Sequence, residues 1–271
     1  MIYHYPRLSA VDLGFVRSPG PGLGNLLFPI SRALIGREQA GGTFVYPTMR
    51  QLKIGTFLRW EKDKRTYGDI LRPRSVQERR DWSAARRQTS VPEGSGAATA
   101  NMTVVYEGLA SQFHDIAGNR QLIQAWLQST MSQAPPASEP YDLAIHVRQG
   151  DFGPAVEVSD GFNTRLPFDW YKSALATASE LMALNRPRIR LFTDGDPATV
   201  ARQLDLQSCV VDDSRNALHA IVAMSKAKLL IGSRSTFSMW GAFLGDVPTI
   251  WDKRFPLTTV FPLRDGLDHL V

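Results

Sequence analysis

Residues 141–152 read Tyr-Asp-Leu-Ala-Ile-His-Val-Arg-Gln-Gly-Asp-Phe, which places Arg148 directly after the apolar run of Leu143, Ala144, Ile145 and Val147. A short apolar run of this kind is the pattern of a buried parallel strand, and Gly150 with Asp151 supplies the turn that stops it. Ligands of open α/β sheets bind at the carboxyl ends of strands. A planar, permanently charged guanidinium there suits a bidentate grip on phosphate or carboxylate. The alternative is structural, with Arg148 pairing to Asp151 and closing the turn. A second candidate is Arg-Ser-Pro-Gly-Pro-Gly-Leu-Gly-Asn at residues 17–25, which contains Gly22, Gly24 and Asn25. A glycine-rich loop ahead of a helix can present backbone amides to an anion, or it can be no more than a tight turn. Its spacing fits neither the dinucleotide fingerprint nor the P-loop.

The elements that must position these residues follow from periodicity and punctuation. Residues 11–16 read as a strand and 26–35 as a helix, in which Pro29 has to fall in the first turn. Strands are expected at 43–46 and 102–106, with a short amphipathic piece at 51–60 and an exposed loop at 90–100. A helix is expected at 120–131 with Leu122, Ala125, Trp126 and Leu127 on one face. The proline-rich stretch 133–140 breaks the pattern, dividing the chain into domains 1–138 and 139–271. Beyond it strands and helices alternate: strands at 143–147, 189–193, 209–211, 228–231 and 249–251, helices at 168–184, 198–204, 217–226 and 236–244. Such alternation predicts an α/β domain with a parallel sheet, and the strand ends after Val147, Thr193 and Ile231 point to one crevice.

Composition bounds the partners. With 271 residues, 43% hydrophobic and 21% charged, the chain can bury one large core or two modest ones. Cys209 is the only cysteine, which rules out an intrachain disulfide and a Cys-rich zinc site; a cytosolic, reducing compartment is expected. No apolar run reaches the ~20 residues of a membrane span, so any membrane contact is peripheral, for instance at the inner face. The net charge of +5 favours anionic partners, and residues 59–87 hold ten Lys and Arg against five Asp and Glu. Mixed charges of this kind form a solvated surface, or a patch for phosphate or anionic lipid. Nucleic acid is not expected, because aromatic residues are not interleaved with the basic segment as stacking platforms. Nothing in the sequence sets an oligomeric state.

Several motifs together carry a family resemblance. His146-Val-Arg148-Gln-Gly-Asp151 resembles the His-x-Arg-Arg-x-Asp motif of the α-1,2-fucosyltransferases (glycosyltransferase family 11) and of the wider group containing α-1,6- and protein O-fucosyltransferases. Gly22-Leu-Gly-Asn25-Leu-Leu-Phe28 is similar to the Gly-x-Leu-Gly-Asn-Gln-Met-Phe signature of the α-1,2 family, and Leu191-Phe-Thr-Asp194-Gly-Asp196 to its Phe-Ser/Thr-Asp-Asp segment. Residues 224–244, which include Ser233-Arg234-Ser235-Thr236-Phe237-Ser238-Met-Trp240, resemble its Met-Ser…Asn-Ser-Thr-Phe-Ser-Trp-Trp block without a gap.

The resemblance implies a GT-B fold, two Rossmann-like domains facing a cleft, and an inverting, metal-independent transfer of fucose from GDP-fucose to a glycan hydroxyl. It makes Arg148 the cation that meets the β-phosphate as negative charge develops there. His146, Asp194, His219, Ser233, Arg234, Ser235, Thr236 and Phe237 become donor-side residues, joined by Gly22, Gly24 and Asn25 from the N-terminal domain. Ser235 or Thr236 could equally be a plain helix cap, and His146 a packed histidine. Glu157 is the implied base or orienting carboxylate for the acceptor, with a surface glutamate as its alternative, and Asp151 fixes the turn. Three positions depart from the pattern. Gln149 stands for the second arginine, Ala220 for an acidic residue, and Arg234 for the usual asparagine, where it could restore the charge missing at Gln149. Rival expectations are a transferase for another GDP-sugar, and a noncatalytic nucleotide or nucleic-acid binder.

Overall fold

The structure is a computed structural model describing residues 1–53, 66–95, 101–136, 139–150, 153–154, 164–184 and 186–271. It divides into two compact units, Met1–Ala134 and Pro135–Val271. Each is an α/β unit around a parallel sheet.

In the first unit β1 (Ile2–Pro6), β2 (Thr43–Phe44), β3 (Thr89–Pro92) and β4 (Met102–Tyr106) form a sheet ordered β2-β1-β4-β3, with every pairing parallel. Parallel sheets need both faces covered. Ala33 of α1 (Leu23–Ala40) packs with Val104 and Tyr106, while Ala85 and Trp82 of α2 (Val76–Ala85) pack with Tyr3, Tyr5 and Val105. Helix α3 (Arg120–Thr130) buries Ile123, Leu127 and Thr130; of the expected face only Leu127 is fully buried, because the 3.6-residue period selects i, i+4 and i+7.

Three expectations for this unit are corrected. The first strand is Ile2–Pro6, whereas residues 11–17 form a short turn bridged between Asp12 and Arg17. Helix α1 starts at Leu23, which puts Pro29 in its second turn instead of its first. Within the supposed loop 90–100, Ser90, Val91 and Pro92 belong to β3. The amphipathic piece 51–60 lies largely outside the described residues.

The second unit matches the predicted alternation closely. Its elements are β5 (Leu143–Val147), β6 (Gly153–Pro154), β7 (Thr164–Arg165), α4 (Phe168–Met182), β8 (Ile189–Thr193), α5 (Pro197–Gln203), β9 (Val210–Val211), α6 (Ala217–Met224), β10 (Leu229–Ile231), α7 (Thr236–Gly245), β11 (Thr249–Trp251) and β12 (Asp268–Leu270). The main sheet is ordered β12-β11-β10-β5-β8-β9 and is wholly parallel. Counted from β5, this is the doubly wound order 3-2-1-4-5-6 of Rossmann folds. Leu143, Ile145, Val147, Leu191, Leu229, Ile231 and Ile250 are all at most 3% exposed and pack with Tyr171, Ala174 and Ala178 of α4. Among the described residues, no helix is long and apolar enough to cross a membrane.

Candidate functional site

The carboxyl ends of β5 and β10 lie side by side where the strand order reverses. From β5 the chain moves outward through β8 to β9, then returns to β10 on the other side of β5 and continues to β11 and β12. The connections leaving the two central strands diverge, and the crevice between them is where doubly wound sheets take ligands.

His146 points from the penultimate position of β5 toward β10. Its Nδ1 lies 2.8 Å from Ser233 Oγ, and its ring meets Phe237 of α7 with centroids 5.3 Å apart. The Tyr171 hydroxyl donates to the His146 carbonyl from below, at 3.2 Å. Burial pushes the His146 pKa down to about 4; the Arg148 charge adds to that, while Asp194 opposes it. The imidazole is therefore neutral near pH 7, a hydrogen-bonding strut rather than a cation.

Arg148 follows the strand end and pairs through Nη1 with Asp194 Oδ2 at the end of β8. The other Asp194 oxygen accepts the Gln149 backbone N–H at 2.7 Å, so one carboxylate anchors both residues of the turn. Gly150 lets the turn pass close to Asp194: a Cβ there would strike the carboxylate and force it to move. With side-chain exposures of 21% and 26%, Arg148 and Asp194 are partly screened from water yet still reachable. Arg165 on β7, which the sequence reading did not single out, donates to the Gly150 carbonyl at 2.9 Å.

Across the crevice, Ser235 caps α7 by accepting from the Phe237 N–H at 3.3 Å, and Thr236 is the first helical residue. The turn is stiffened by Ser238, whose Oγ accepts from the Ser233 N–H and lies 3.2 Å from the Ser233 and Ser235 carbonyls. Polar residues of such a turn at a helix N-terminus favour an anion. Arg234 does not extend this set. Its guanidinium is 5% exposed and grips Asp252 Oδ2 through Nε at 3.0 Å and Nη2 at 2.6 Å, and Arg254 closes on the other oxygen at 2.8 Å. The expectation that Arg234 replaces the charge lost at Gln149 is thereby corrected: its guanidinium is turned to Asp252, just past β11, which it shares with Arg254. His219 is buried in the first turn of α6, and its backbone N–H is taken by the Asn216 cap.

The glycine-rich candidate belongs to the first unit. Gly22 is the extended N-cap of α1 and makes no side-chain cap; its carbonyl accepts from the Asn25 and Leu26 N–H groups at 3.0 and 3.2 Å, placing Gly24 and Asn25 in the first turn. The Leu23 N–H donates to Tyr67 Oη at 3.1 Å. Beside this turn lies Arg17, 1% exposed, with Nη1 donating to the Ser18 carbonyl at 3.2 Å. Among the described residues its Nε and Nη2 have no hydrogen-bond partner, and burial pulls its pKa down to about 10. The signal for it was in the sequence: a lone arginine at the head of a glycine-proline loop. Asp151 and Glu157 lie outside the described residues. Among those described, no group of three His, Cys, Asp or Glu side chains could hold a metal ion.

No family model matches the sequence, and no curated protein matches it. Among solved structures the chain is similar to NodZ, an α-1,6-fucosyltransferase soaked with GDP-fucose (14% identity, 96% of each chain covered, TM-score 0.47). It is also similar to the apo form of POFUT1 (11%, 89% of this chain and 98% of that one, TM-score 0.45). A third is the E. coli heptosyltransferase WaaC with ADP-2-deoxy-2-fluoro heptose (12%, 100% and 93%, TM-score 0.44).

Proposed function

We propose that the chain is a glycosyltransferase of the GT-B type, transferring L-fucose from GDP-fucose to a glycan hydroxyl with inversion, an α-1,2 linkage being what the sequence motifs imply. The observation that carries this reading is Arg148, held by Asp194 just past β5 at the switch point of a Rossmann-ordered sheet, whose neighbouring strand β10 leads into a serine-rich helix N-terminus. Departure of the nucleoside diphosphate leaves negative charge on the β-phosphate while the sugar becomes oxocarbenium-like. A preorganised guanidinium and a helix N-terminus meet that charge without reorganising at the moment of reaction. His146 takes no proton in this scheme; being neutral, it sets the Ser233 turn. Within the first unit, Arg17 is a buried cation beside the backbone amides that open α1. Glu157 as the group that accepts the acceptor proton rests on the motif resemblance alone.

Thermal unfolding with GDP, UDP and ADP, followed by donor hydrolysis, tests the reading. GDP is expected to stabilise most, by about 2.7 kcal/mol at a hundredfold excess over its Kd. Preferential stabilisation by UDP overturns the GDP assignment, and GDP binding without turnover of any GDP-sugar overturns the enzyme.

A further inference from the structure

The first unit carries a cavity of about 270 Å³, whose wall includes Phe15, Tyr46, Arg50, Arg72, Arg74 and Arg79. The arginines are in different states. Arg72 is matched by Glu78 through two hydrogen bonds, at 2.8 and 2.7 Å, and lies over the Tyr46 ring at 4.7 Å. Among the described residues, Arg74 donates only to the Tyr46 and Gly14 carbonyls and to the Thr48 hydroxyl, so no carboxylate is hydrogen-bonded to it. Arg50 and Arg79 are exposed, and Arg79 donates to the Arg74 carbonyl at 2.8 Å. Among the described residues, the wall thus presents cations that outnumber their hydrogen-bonded carboxylate partner.

The rim has the opposite character. Phe15 is 74% exposed, and Leu13 and Val11 beside it are 53% and 52% exposed. These side chains sit on a tight turn, closed by the Leu13 N–H to the Val16 carbonyl at 2.9 Å, with Gly14 at φ +86°. The turn is braced from beneath. Gly14 packs on Trp82, whose Nε1 donates to Asp12 at 3.3 Å; Asp12 also accepts from Thr48 and Tyr5, each at 2.7 Å. Apolar prongs on a stiff base lose little entropy on binding.

We propose that this face of the first unit docks on an anionic phospholipid surface, with Phe15 and Leu13 in the interfacial layer and the pocket arginines on headgroup phosphates. Exposed apolar side chains beside a cluster of arginines are the chemistry of a peripheral membrane contact, since neither half suffices alone. The charge complementarity favours a lipid over an apolar protein partner, whose surface would leave the guanidinium groups desolvated without counter-charges. The proposal deepens the peripheral association read from the sequence and does not depend on the donor chemistry.

Co-sedimentation of the full chain with vesicles of phosphatidylcholine alone, and of phosphatidylcholine with phosphatidylglycerol, tests it. Binding is expected only to the anionic vesicles and is expected to weaken with salt. Phe15→Ser should lower partitioning about tenfold, and Arg50→Gln with Arg79→Gln about fivefold for each charge removed. The control pair Arg186→Gln and Arg202→Gln, exposed arginines of the second unit, should have little effect. No binding to anionic vesicles, equal binding to neutral ones, an equal loss in the control pair, or an unaffected Phe15→Ser variant overturns the proposal. Full competition by free glycerophosphate overturns it too, identifying a soluble phosphate as the ligand. Donor hydrolysis without vesicles should be unchanged in these variants, so failure of the transferase reading and failure of this one are told apart.

Discussion

If Arg148 meets the leaving phosphate, its loss and the loss of its partner Asp194 must have unequal consequences. Both substitutions break the same ion pair, in which each side chain is about one quarter exposed. Among the described residues, Arg148→Ala leaves Asp194 with the Gln149 N–H, and Asp194→Asn removes the carboxylate that Arg148 grips there. A partly buried, charge-assisted contact of this kind is worth roughly 1–2 kcal/mol, so the two variants should lose similar stability. Catalysis should separate them. Removing a group that stabilises developing charge costs roughly 10²–10³ in kcat, whereas loosening its orientation costs less. The assay is GDP release from GDP-fucose alongside thermal unfolding. Arg148→Ala is expected to unfold a few degrees lower and to lose at least a hundredfold in turnover, and Asp194→Asn to unfold similarly but keep more activity. Arg148→Lys should recover little, because an ammonium reproduces the charge but not the planar fork. Equal activity losses in Arg148→Ala and Asp194→Asn, non-additive in the double variant, would refute the reasoning by showing that the pair is only a turn clasp.

Three further outcomes are expected. His146 has a folded pKa near 4 against 6.5 in the unfolded chain, so the unfolded state binds the extra proton; stability from this group is full above pH 6.5 and declines as pH falls toward 4, and replacing it with Gln should flatten that part of the curve of unfolding temperature against pH. Gly150→Ala should displace the Asp194 carboxylate and lower kcat more than stability, and an active, unshifted variant would contradict the close approach described above. EDTA should leave donor turnover unchanged, and a loss restored by added magnesium would show that a metal shares the task given to Arg148.

How far the site was legible depended on how its residues solve their polar groups. Strand β5 could be read directly because every one of its residues is buried, and an apolar run flanked by a turn says so. Strand β1 is just as central but is built from Tyr3, His4 and Tyr5, and the polar ends of two of them are hidden by hydrogen bonds: Tyr5 to Asp12, and His4 to Tyr106 and Gly41. Hydropathy cannot see those partners, which lie up to 102 residues away. Helix α2 was missed for a different reason. Its mean character is polar, yet Ser75 and Glu78 form a reciprocal capping box that the sequence displays at the required spacing. Arg165 left no local signal, since its relation to Gly150 exists only after β7 is placed.

Arg234 shows why motif spacing fixes position but not direction. The residue stands in the turn after β10, as the alignment places it, next to a helix N-terminus where a cation would suit a phosphate. Two physical demands compete for its side chain. Asp252 is 2% exposed just past the neighbouring strand β11, and a buried carboxylate left unpaired costs several kcal/mol. A guanidinium one strand away, able to reach it with two nitrogens, removes that cost, and Arg254 completes the cluster. An asparagine at position 234 could not do so, which ties the departure from the family pattern to the acid at 252 rather than to Gln149. On the proposed reading, the charge available to a leaving phosphate at the switch point comes from Arg148, with Arg165 nearby and Gln149 neutral. With only one arginine of the resembled motif, such a site would draw more on backbone amides, and Ser238 braces the turn from 233 to 238 by hydrogen bonds to Ser233 and Ser235.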